Sequence, residues 1–304
     1  MASDTSVLQP PHAQWLADLT KAAEPLTEAS IGSDLNAIDD VFVEVSRGET
    51  RQRGFLLAFS IFGVLAFLFP LWLFGPDILS GDIEEPLMML FLLVLVLGGY
   101  LFFFFGIRLE TSIPRDEPVR FNRKTGKVYV NEFHHTQNPF GKWGSNVKVY
   151  DWSNIHGELI SYLQFNTRFF VRRYGLEAAV CKPGTTEVVE RFWIERNQPF
   201  PDLLRGKWAY ICAFMNGTPV DDLPPAQPRD QRVTWRNSFL MWAPWLVQPR
   251  EHFLSHPLLF FMSMLMVPFT PLFLVAVAGH YIAMRFSPPA QWPADIDRES
   301  RASV

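Results

Sequence analysis

The most regular pattern in the chain is a pair of long apolar runs in its first third. Gly54–Gly75 has 22 residues and Leu87–Ile107 has 21, and neither run contains a charged side chain. As helices they are about 31–33 Å long, which matches a hydrocarbon core of roughly 30 Å. The pattern therefore predicts a transmembrane helical hairpin over residues 54–107. Because neither run carries an ionisable group, we interpret the pair as an anchor and not as an ion path.

The charges beside the hairpin predict its orientation. Arginines lie just before the first run and just after the second, whereas the turn Pro76–Pro86 carries only acidic charges: Arg47, Arg51, Arg53 and Arg108 against Asp77, Asp82, Glu84 and Glu85. Short segments rich in Lys and Arg stay in the cytoplasm. We therefore predict a multi-pass protein of the bacterial inner membrane with a cytoplasmic N-terminus, a cytoplasmic domain after the hairpin and an external turn.

Residues 1–53 are polar and are predicted to form a largely flexible cytoplasmic segment. His12–Ala22 has the spacing of a short amphipathic helix. Apolar and polar residues alternate weakly over Asp40–Ser46, which fits either an added strand of the later domain or a mobile tail.

Residues 108–217 change to short alternating runs that are typical of β-strands. Val119–Arg123 and Val128–Phe133 flank a turn in which Gly126 is free to adopt a positive φ, so a hairpin is predicted there. Asp202–Asn216 then has helical spacing. We predict an α-helical membrane anchor joined to an α+β cytoplasmic domain. In outline, that domain resembles an antiparallel pleckstrin-homology-like β-barrel or roll capped by one C-terminal helix; a generic β-roll or split barrel is the alternative.

Three further segments follow the β-rich domain. Residues 218–257 form a linker rich in Pro and Trp with an interfacial segment. Residues 258–284 form a third hydrophobic membrane segment that Pro268 and Pro271 interrupt. We favour one kinked crossing there over a re-entrant loop. Residues 285–304 are predicted to be a polar tail in which several prolines prevent a helix.

Composition narrows the function but does not name a reaction. The formal net charge of −4 gives no support to nucleic acid as a partner. Cys181 and Cys212 are the only cysteines, and we expect both to be reduced. The chain contains no Gly-x-Ser-x-Gly, no phosphate-binding Gly-rich loop and no Cys-x-x-Cys. We therefore predict a protein that is not an enzyme and has no cofactor and no metal.

One basic group is a candidate binding site. Arg120, Arg123, Lys124 and Lys127 surround the predicted hairpin turn close to the second membrane helix. Lys and Arg near an anionic membrane surface each contribute about 1 kcal/mol of binding. These four residues are predicted to bind the membrane surface or a partner. A solvated hairpin tip that only enforces topology is the alternative.

Two other functions stay open as alternatives. The first is a membrane-associated metal-dependent hydrolase that uses His252 and His256, four residues apart, with Glu251. Here the Glu lies outside the His pair and Pro257 follows, unlike the metalloprotease pattern. The second is an oligomeric transport component whose pore is lined by polar residues of the third hydrophobic segment: Ser263, Thr270 and His280.

Three short motifs follow the hairpin: Arg120-Phe-Asn-Arg-Lys-Thr-Gly-Lys-Val-Tyr129, Trp208…Phe214-Met-Asn216…Leu223-Pro-Pro225, and Gly279-His-Tyr-Ile-Ala-Met-Arg285…Pro288…Gln291-Trp-Pro293. With them, the chain resembles an uncharacterised family of proteobacterial membrane proteins that are often encoded beside type VI secretion effectors. None of these motifs is catalytic, so no residue role is transferred. The resemblance implies a non-enzymatic accessory or immunity-type protein. Its expected partners are the lipid bilayer and a secreted effector or secretion-associated protein.

Overall fold

The computed structural model describes residues 6–21, 29–47, 53–80, 86–136, 138, 140–166, 169–247, 251 and 257–302. The helices are α1 (Phe55–Leu79), α2 (Pro86–Ser112), α3 (Pro201–Met215), α4 (Trp235–Trp242), α5 (Pro257–Met266), α6 (Thr270–Phe286) and α7 (Ala294–Ser300). The strands are β1 (Trp15–Leu19), β2 (Leu35–Ile38), β3 (Phe42–Val45), β4 (Val119–Asn122), β5 (Lys127–His134), β6 (Gly144–Asp151), β7 (Ile155–Asn166), β8 (Phe169–Cys181) and β9 (Val188–Gln198).

The strands form two separate antiparallel sheets. One has the order β1-β7-β8-β9 and the other has the order β2-β3-β4-β5-β6. Both sheets are open, so the closed pleckstrin-homology-like barrel expected from the strand count is not what the described strands form. The predicted hairpin over 119–133 is confirmed as β4 and β5, with Gly126 at a φ of 67°. The α+β character of the domain is confirmed as well.

The N-terminal segment differs from the prediction of a largely flexible chain. Its described part contributes β1 to one sheet and both β2 and β3 to the other. The expected helix at 12–22 is the strand β1, which pairs with β7, and Leu19 is buried there. Of the two alternatives left open for 40–46, the added strand is the one that forms, as β3 paired with β4. Pairing with distant strands overrides the weak helical spacing of a short segment.

Helix α3 closes the core of the β domain, as predicted. Its Trp208, Ile211 and Phe214 are buried in a cluster that includes side chains of both sheets. The Trp208 ring lies so close to β7 that a Cβ at Gly157 would be 2.6 Å from it, which explains the glycine. Cys212 on the same helix and Cys181 on β8 are both buried and are not joined by a disulfide, in agreement with the prediction of reduced cysteines.

Three helices are long and apolar enough to cross a membrane: Phe55–Asp77, Pro86–Ser112 and Phe261–Phe286. The third span combines the end of α5, a 3₁₀ turn at Val267–Phe269 and α6. The turn lies at the prolines that interrupt the apolar run. The first residue of α1, the last turn of α2 and the last turns of α6 meet at one end of the bundle.

At this meeting point, a glycine and a buried carboxylate allow the three helices to approach one another closely. A Cβ at Gly279 would lie 2.5 Å from the Gly54 carbonyl oxygen. The Glu110 carboxylate accepts hydrogen bonds from the backbone N–H groups of Gly54, at 2.9 Å, and of Leu56, at 3.0 Å. An acidic group at a helix N-terminus satisfies N–H groups that have no partner within the helix. Glu110 of α2 therefore caps the start of α1.

The C-terminal tail is folded, which differs from the prediction that its prolines prevent a helix. Helix α7 begins at Ala294, directly after Pro293, because proline is compatible with a helix start. The Asn122 side chain donates a hydrogen bond to the Ser300 carbonyl, so α7 is docked on the β domain. Trp235 stacks on Tyr281 near the end of α6. The start of α4 thus lies beside the last turns of α6.

Candidate functional site

A cavity of about 630 Å³ lies where the β domain meets α4, α6 and the C-terminal tail. We call it the junction cavity. Its walls come from β2, β3, β4, the linker before α4, the inner faces of α4 and α6, and the tail. Five arginines and three carboxylates line it: Arg115, Arg120, Arg229, Arg232, Arg301, Glu44, Asp116 and Asp230. The charged lining is therefore net positive.

Arg120 is the most buried of these arginines. Its guanidinium lies 2.7 Å from Glu44 and 2.8 Å from Asp297 of α7, and its side chain is 2% exposed. The guanidinium also stacks over the rings of Phe42 and Trp292. Side chains of β4 alternate between the two faces of the sheet, and Arg120 lies on the face that the tail covers. Arg120, which was predicted to contact the membrane, therefore links the sheet to α7 within the protein.

Of the other three predicted basic residues, two are also paired within the protein. Arg123 lies 3.0 Å from Asp40 and donates to the Thr218 carbonyl at 2.6 Å. Lys127 lies 2.8 Å from Glu299, and the hydrogen bond that its ammonium donates to this carboxylate raises the pKa of Lys127. Lys124 is exposed. The structure thus places three of the four residues against acidic or carbonyl partners and leaves Lys124 facing solvent.

Arg115 is a cavity arginine that donates to backbone carbonyl oxygens, those of Ser287 and Arg285. Its guanidinium donates to the Ser287 carbonyl at 3.1 Å, and no carboxylate of the described chain forms an ion pair with it. Burial and the nearby Arg285 charge lower the pKa of Arg115. A guanidinium that has no carboxylate partner favours a bound anion.

The helices α4 and α6 contribute both apolar and polar side chains to the cavity lining. Leu240 and Met241 of α4 face it together with Met284 of α6. Between these helices, the Ser238 hydroxyl and the His280 Nδ1 are 2.9 Å apart, and both side chains are buried. Polar pairs of this kind hold membrane helices together.

The sequence prediction missed this pair. It named His280 only as a pore-lining residue, because only the approach of α4 shows where the His280 ring points. The serine alone gives little signal, since isolated serines are common in interfacial segments.

The alternative functions gain no support from the described residues. His252 and His256 lie outside the part of the chain that the structure describes. In the described ranges no three His, Cys, Asp or Glu residues are grouped in a way that could hold a metal ion.

Comparison with known proteins identifies a family without an assigned activity. No curated protein and no solved structure matches the chain. Residues 93–304, more than half of the chain, match a family of unknown function (DUF6708). The match begins within α2 and includes most of the junction cavity lining. The chain therefore belongs to this family of unknown function.

Proposed function

We propose that the protein is a non-enzymatic, membrane-anchored binding protein whose junction cavity takes an anionic amphiphile. The ligand class is a molecule with a phosphate-bearing headgroup and an apolar portion. The observation that carries this proposal is the composition of the cavity, whose lining combines five arginines with apolar side chains of α4 and α6. Its volume lies within the range of about 300–1,000 Å³ that is usual for small-molecule sites.

The position of the cavity supports a ligand that comes from the bilayer. Met284 lies at the end of the third apolar span, while Arg115 lies just beyond the end of the second. A lipid that enters at this level would place its headgroup beside Arg115 and its chain along α4 and α6. Arginine binds phosphate oxygens in a planar, bidentate geometry.

The proposal includes the location and the wider role. We place the protein in the bacterial inner membrane with the β domain in the cytoplasm, on the strength of the arginines at both ends of the hairpin. The resemblance to proteins encoded beside type VI secretion effectors supports an accessory or immunity role for this protein when it binds its ligand in the membrane. Deleting the gene alone and challenging the cells with the neighbouring effector tests that role. Unchanged survival together with unchanged effector secretion would refute it.

Lipid binding is tested on the full chain purified in mild detergent. Native mass spectrometry would compare retention of phosphatidylglycerol and phosphatidylcholine with the same acyl chains. We expect a preference for phosphatidylglycerol that the Arg115→Gln variant loses by about tenfold, since one charged hydrogen-bonded contact contributes about 1.5–3 kcal/mol. Arg205→Gln is the matched control, because Arg205 is exposed on α3 and does not line the cavity.

A second arm separates a lipid from a free anion. Inorganic phosphate that displaces phosphatidylglycerol completely would show that the headgroup alone is recognised. Equal retention of both lipids by the wild-type protein would contradict the proposal. The same conclusion would follow if Arg115→Gln retained phosphatidylglycerol as well as Arg205→Gln does.

A further inference from the structure

The hairpin formed by β7 and β8 extends beyond the rest of its sheet. β9 pairs with β8 as far as Tyr174, and β1 pairs with β7 as far as Ile160. Five further residue pairs, from Tyr162–Arg173 to Asn166–Phe169, join only the two hairpin strands. At about 3.4 Å per residue, this two-stranded ribbon projects by roughly 17 Å. We call its described residues 162–166 and 169–173 the hairpin tip.

One face of the hairpin tip is apolar and exposed. Leu163 is 62% exposed, Phe165 is 61% exposed and Phe170 is 70% exposed. Phe165 and Phe170 are a directly opposed pair, with ring centroids 5.3 Å apart. Arg172 lies opposite Leu163 and is exposed as well. Large apolar side chains grouped on a projecting ribbon mark an interaction surface, in contrast to single exposed residues.

The strand directions place this tip at the membrane end of the β domain. Arg47, a few residues before α1, donates to the Trp193 carbonyl on β9 at 3.1 Å. Farther along β9, Arg196 lines a small pocket together with Arg53 and Pro114, which flank α1 and α2. β9 therefore runs toward the helical bundle. Because β8 is antiparallel to β9, the hairpin tip continues past β9 in the same direction.

Other exposed apolar side chains of the β domain share this end. Phe200 and Leu203 follow the end of β9, and both are exposed. Phe140, in the connection between β5 and β6, is exposed and stacks on Phe104 of α2, with centroids 5.6 Å apart. This connection thus already contacts a membrane-spanning helix. The hairpin tip is therefore one of several exposed apolar groups at the end of the β domain that faces the helical bundle.

We propose that the hairpin tip is a second membrane contact of the protein, separate from the spans and from the junction cavity. Leu163, Phe165 and Phe170 insert into the interfacial layer of the bilayer that holds the spans, and Arg172 contacts anionic headgroups. Aromatic side chains favour the interfacial layer, and Arg extends its charge to the headgroups while its stem remains in apolar surroundings. The contact fixes the β domain at two points, which prevents it from rotating about its link to the helices.

Site-specific fluorescence in lipid nanodiscs tests this proposal on the full chain. A nitrobenzoxadiazole label is attached to a cysteine introduced by Leu163→Cys and, as the matched control, by Val189→Cys. Val189 is exposed on β9 at the end of the sheet remote from the bundle. The unmodified chain measures background labelling, since both native thiols are buried. Nanodiscs contain phosphatidylcholine alone or a mixture with phosphatidylglycerol, each with and without acyl-chain nitroxide.

The expected result is strong quenching at position 163 and none at position 189. A label that enters the boundary between headgroups and chains, roughly 5–10 Å deep, should lose about half of its emission to the nitroxide. Adding Arg172→Gln should reduce quenching in the anionic nanodiscs and leave it unchanged in phosphatidylcholine.

Two outcomes would overturn the proposal. Equal quenching at the two positions, or none at position 163, would show that the tip does not enter the bilayer. A blue-shifted emission at position 163 without nitroxide quenching would assign the face to a protein partner or to a second copy of the chain. Neither outcome depends on the junction cavity, so failure here is distinguishable from failure of the proposed function.

Discussion

Replacing Arg120 with methionine is expected to release helix α7 from the β domain. Methionine retains much of the side-chain bulk but removes the charge that Glu44 and Asp297 share. Both carboxylates then lose their nearest cation, and the Glu44 carboxylate stays largely inaccessible to water. The released element is α7, because Asp297 belongs to that helix whereas Glu44 is held in a central strand.

The magnitude follows from the burial of the three groups. Removing one partner of a buried ion pair costs about 3–5 kcal/mol. The Arg120 side chain is 2% exposed and that of Glu44 is 13% exposed, but Asp297 is 38% exposed and can recover water. The lower limit, about 3 kcal/mol, therefore applies. At 1.4 kcal/mol for each factor of ten, the open state of α7 should become about 100-fold more populated.

Hydrogen exchange of the tail amides measures this opening. We expect exchange in 294–302 to accelerate by about two orders of magnitude in Arg120→Met, limited by the protection present in the wild-type tail. Arg301→Gln is the matched control, since Arg301 pairs with the same Asp297 but is 55% exposed. An exposed i,i+4 pair contributes about 0.3–0.5 kcal/mol, so exchange should change only about twofold.

Similar exchange in the two variants would refute the reasoning. It would mean that the ion pairs of Arg120 with Glu44 and Asp297 do not hold α7, although the Arg120 guanidinium lies between the sheet and the tail. Acceleration that extends to the whole β domain would instead assign Arg120 to the stability of the sheet.

Three more outcomes follow from the same structure. Although burial opposes ionisation, hydrogen bonds from Arg120 and Arg301 lower the pKa of Asp297. Ionised Asp297 therefore stabilises the docked α7 fully above its unfolded-state pKa of about 3.9, and this stabilisation is lost as the pH falls through the lower folded-state pKa. The amides of α7 should stay protected from hydrogen exchange at pH 5–7 and lose protection below about pH 4. Gly279→Ala should lower the melting temperature in detergent, because the overlap with Gly54 costs about 1–3 kcal/mol. Cysteines at Lys124 and Ala302 should react with a membrane-impermeant maleimide from the same side, because the tail docks on the β domain.

Each of these predictions has a control within the chain. Tail exchange at low pH, corrected for intrinsic rates, should depend less on pH in an Asp297→Asn variant, in which Glu299 of the same helix still pairs with Lys127. Gly98→Ala is the control for the Gly279–Gly54 contact, because a Cβ at Gly98 meets no atom within 4 Å and alanine favours the helix. Equal melting temperatures for Gly279→Ala and Gly98→Ala would contradict the packing argument. Reaction of the two introduced cysteines from opposite sides would show that the segment 235–286 crosses an odd number of times.

The β4–β5 hairpin and the helix α3 were predictable because their signals are local. A turn glycine between alternating strands, or apolar residues at helical spacing, reports the conformation of neighbouring residues. The strand β1 and the tail helix α7 lack such signals. Trp15–Leu19 is too short to define a period, and its conformation depends on β7, which lies far along the chain. The tail helix depends on its contacts with β4.

The basic group around β4 shows the same limit for the candidate site. Sequence proximity to the second span made Arg120, Arg123, Lys124 and Lys127 appear as one surface. The fold separates them, because the carboxylates that pair with three of these residues come from the N-terminal strands and from the tail. The charge of a residue is written in the sequence, but its burial and its counter-ion are not.

By itself, the sequence determined the apolar spans, the β-rich character of the domain after them and the reduced state of its cysteines. These properties depend on side-chain type and on short-range order. The tertiary structure alone decided that the sheets stay open, that the tail folds back onto the β domain and that a cavity with a net positive charged lining forms beside α4 and α6. These features arise from contacts between residues distant in sequence, where packing and charge pairing decide among conformations that the local sequence equally permits.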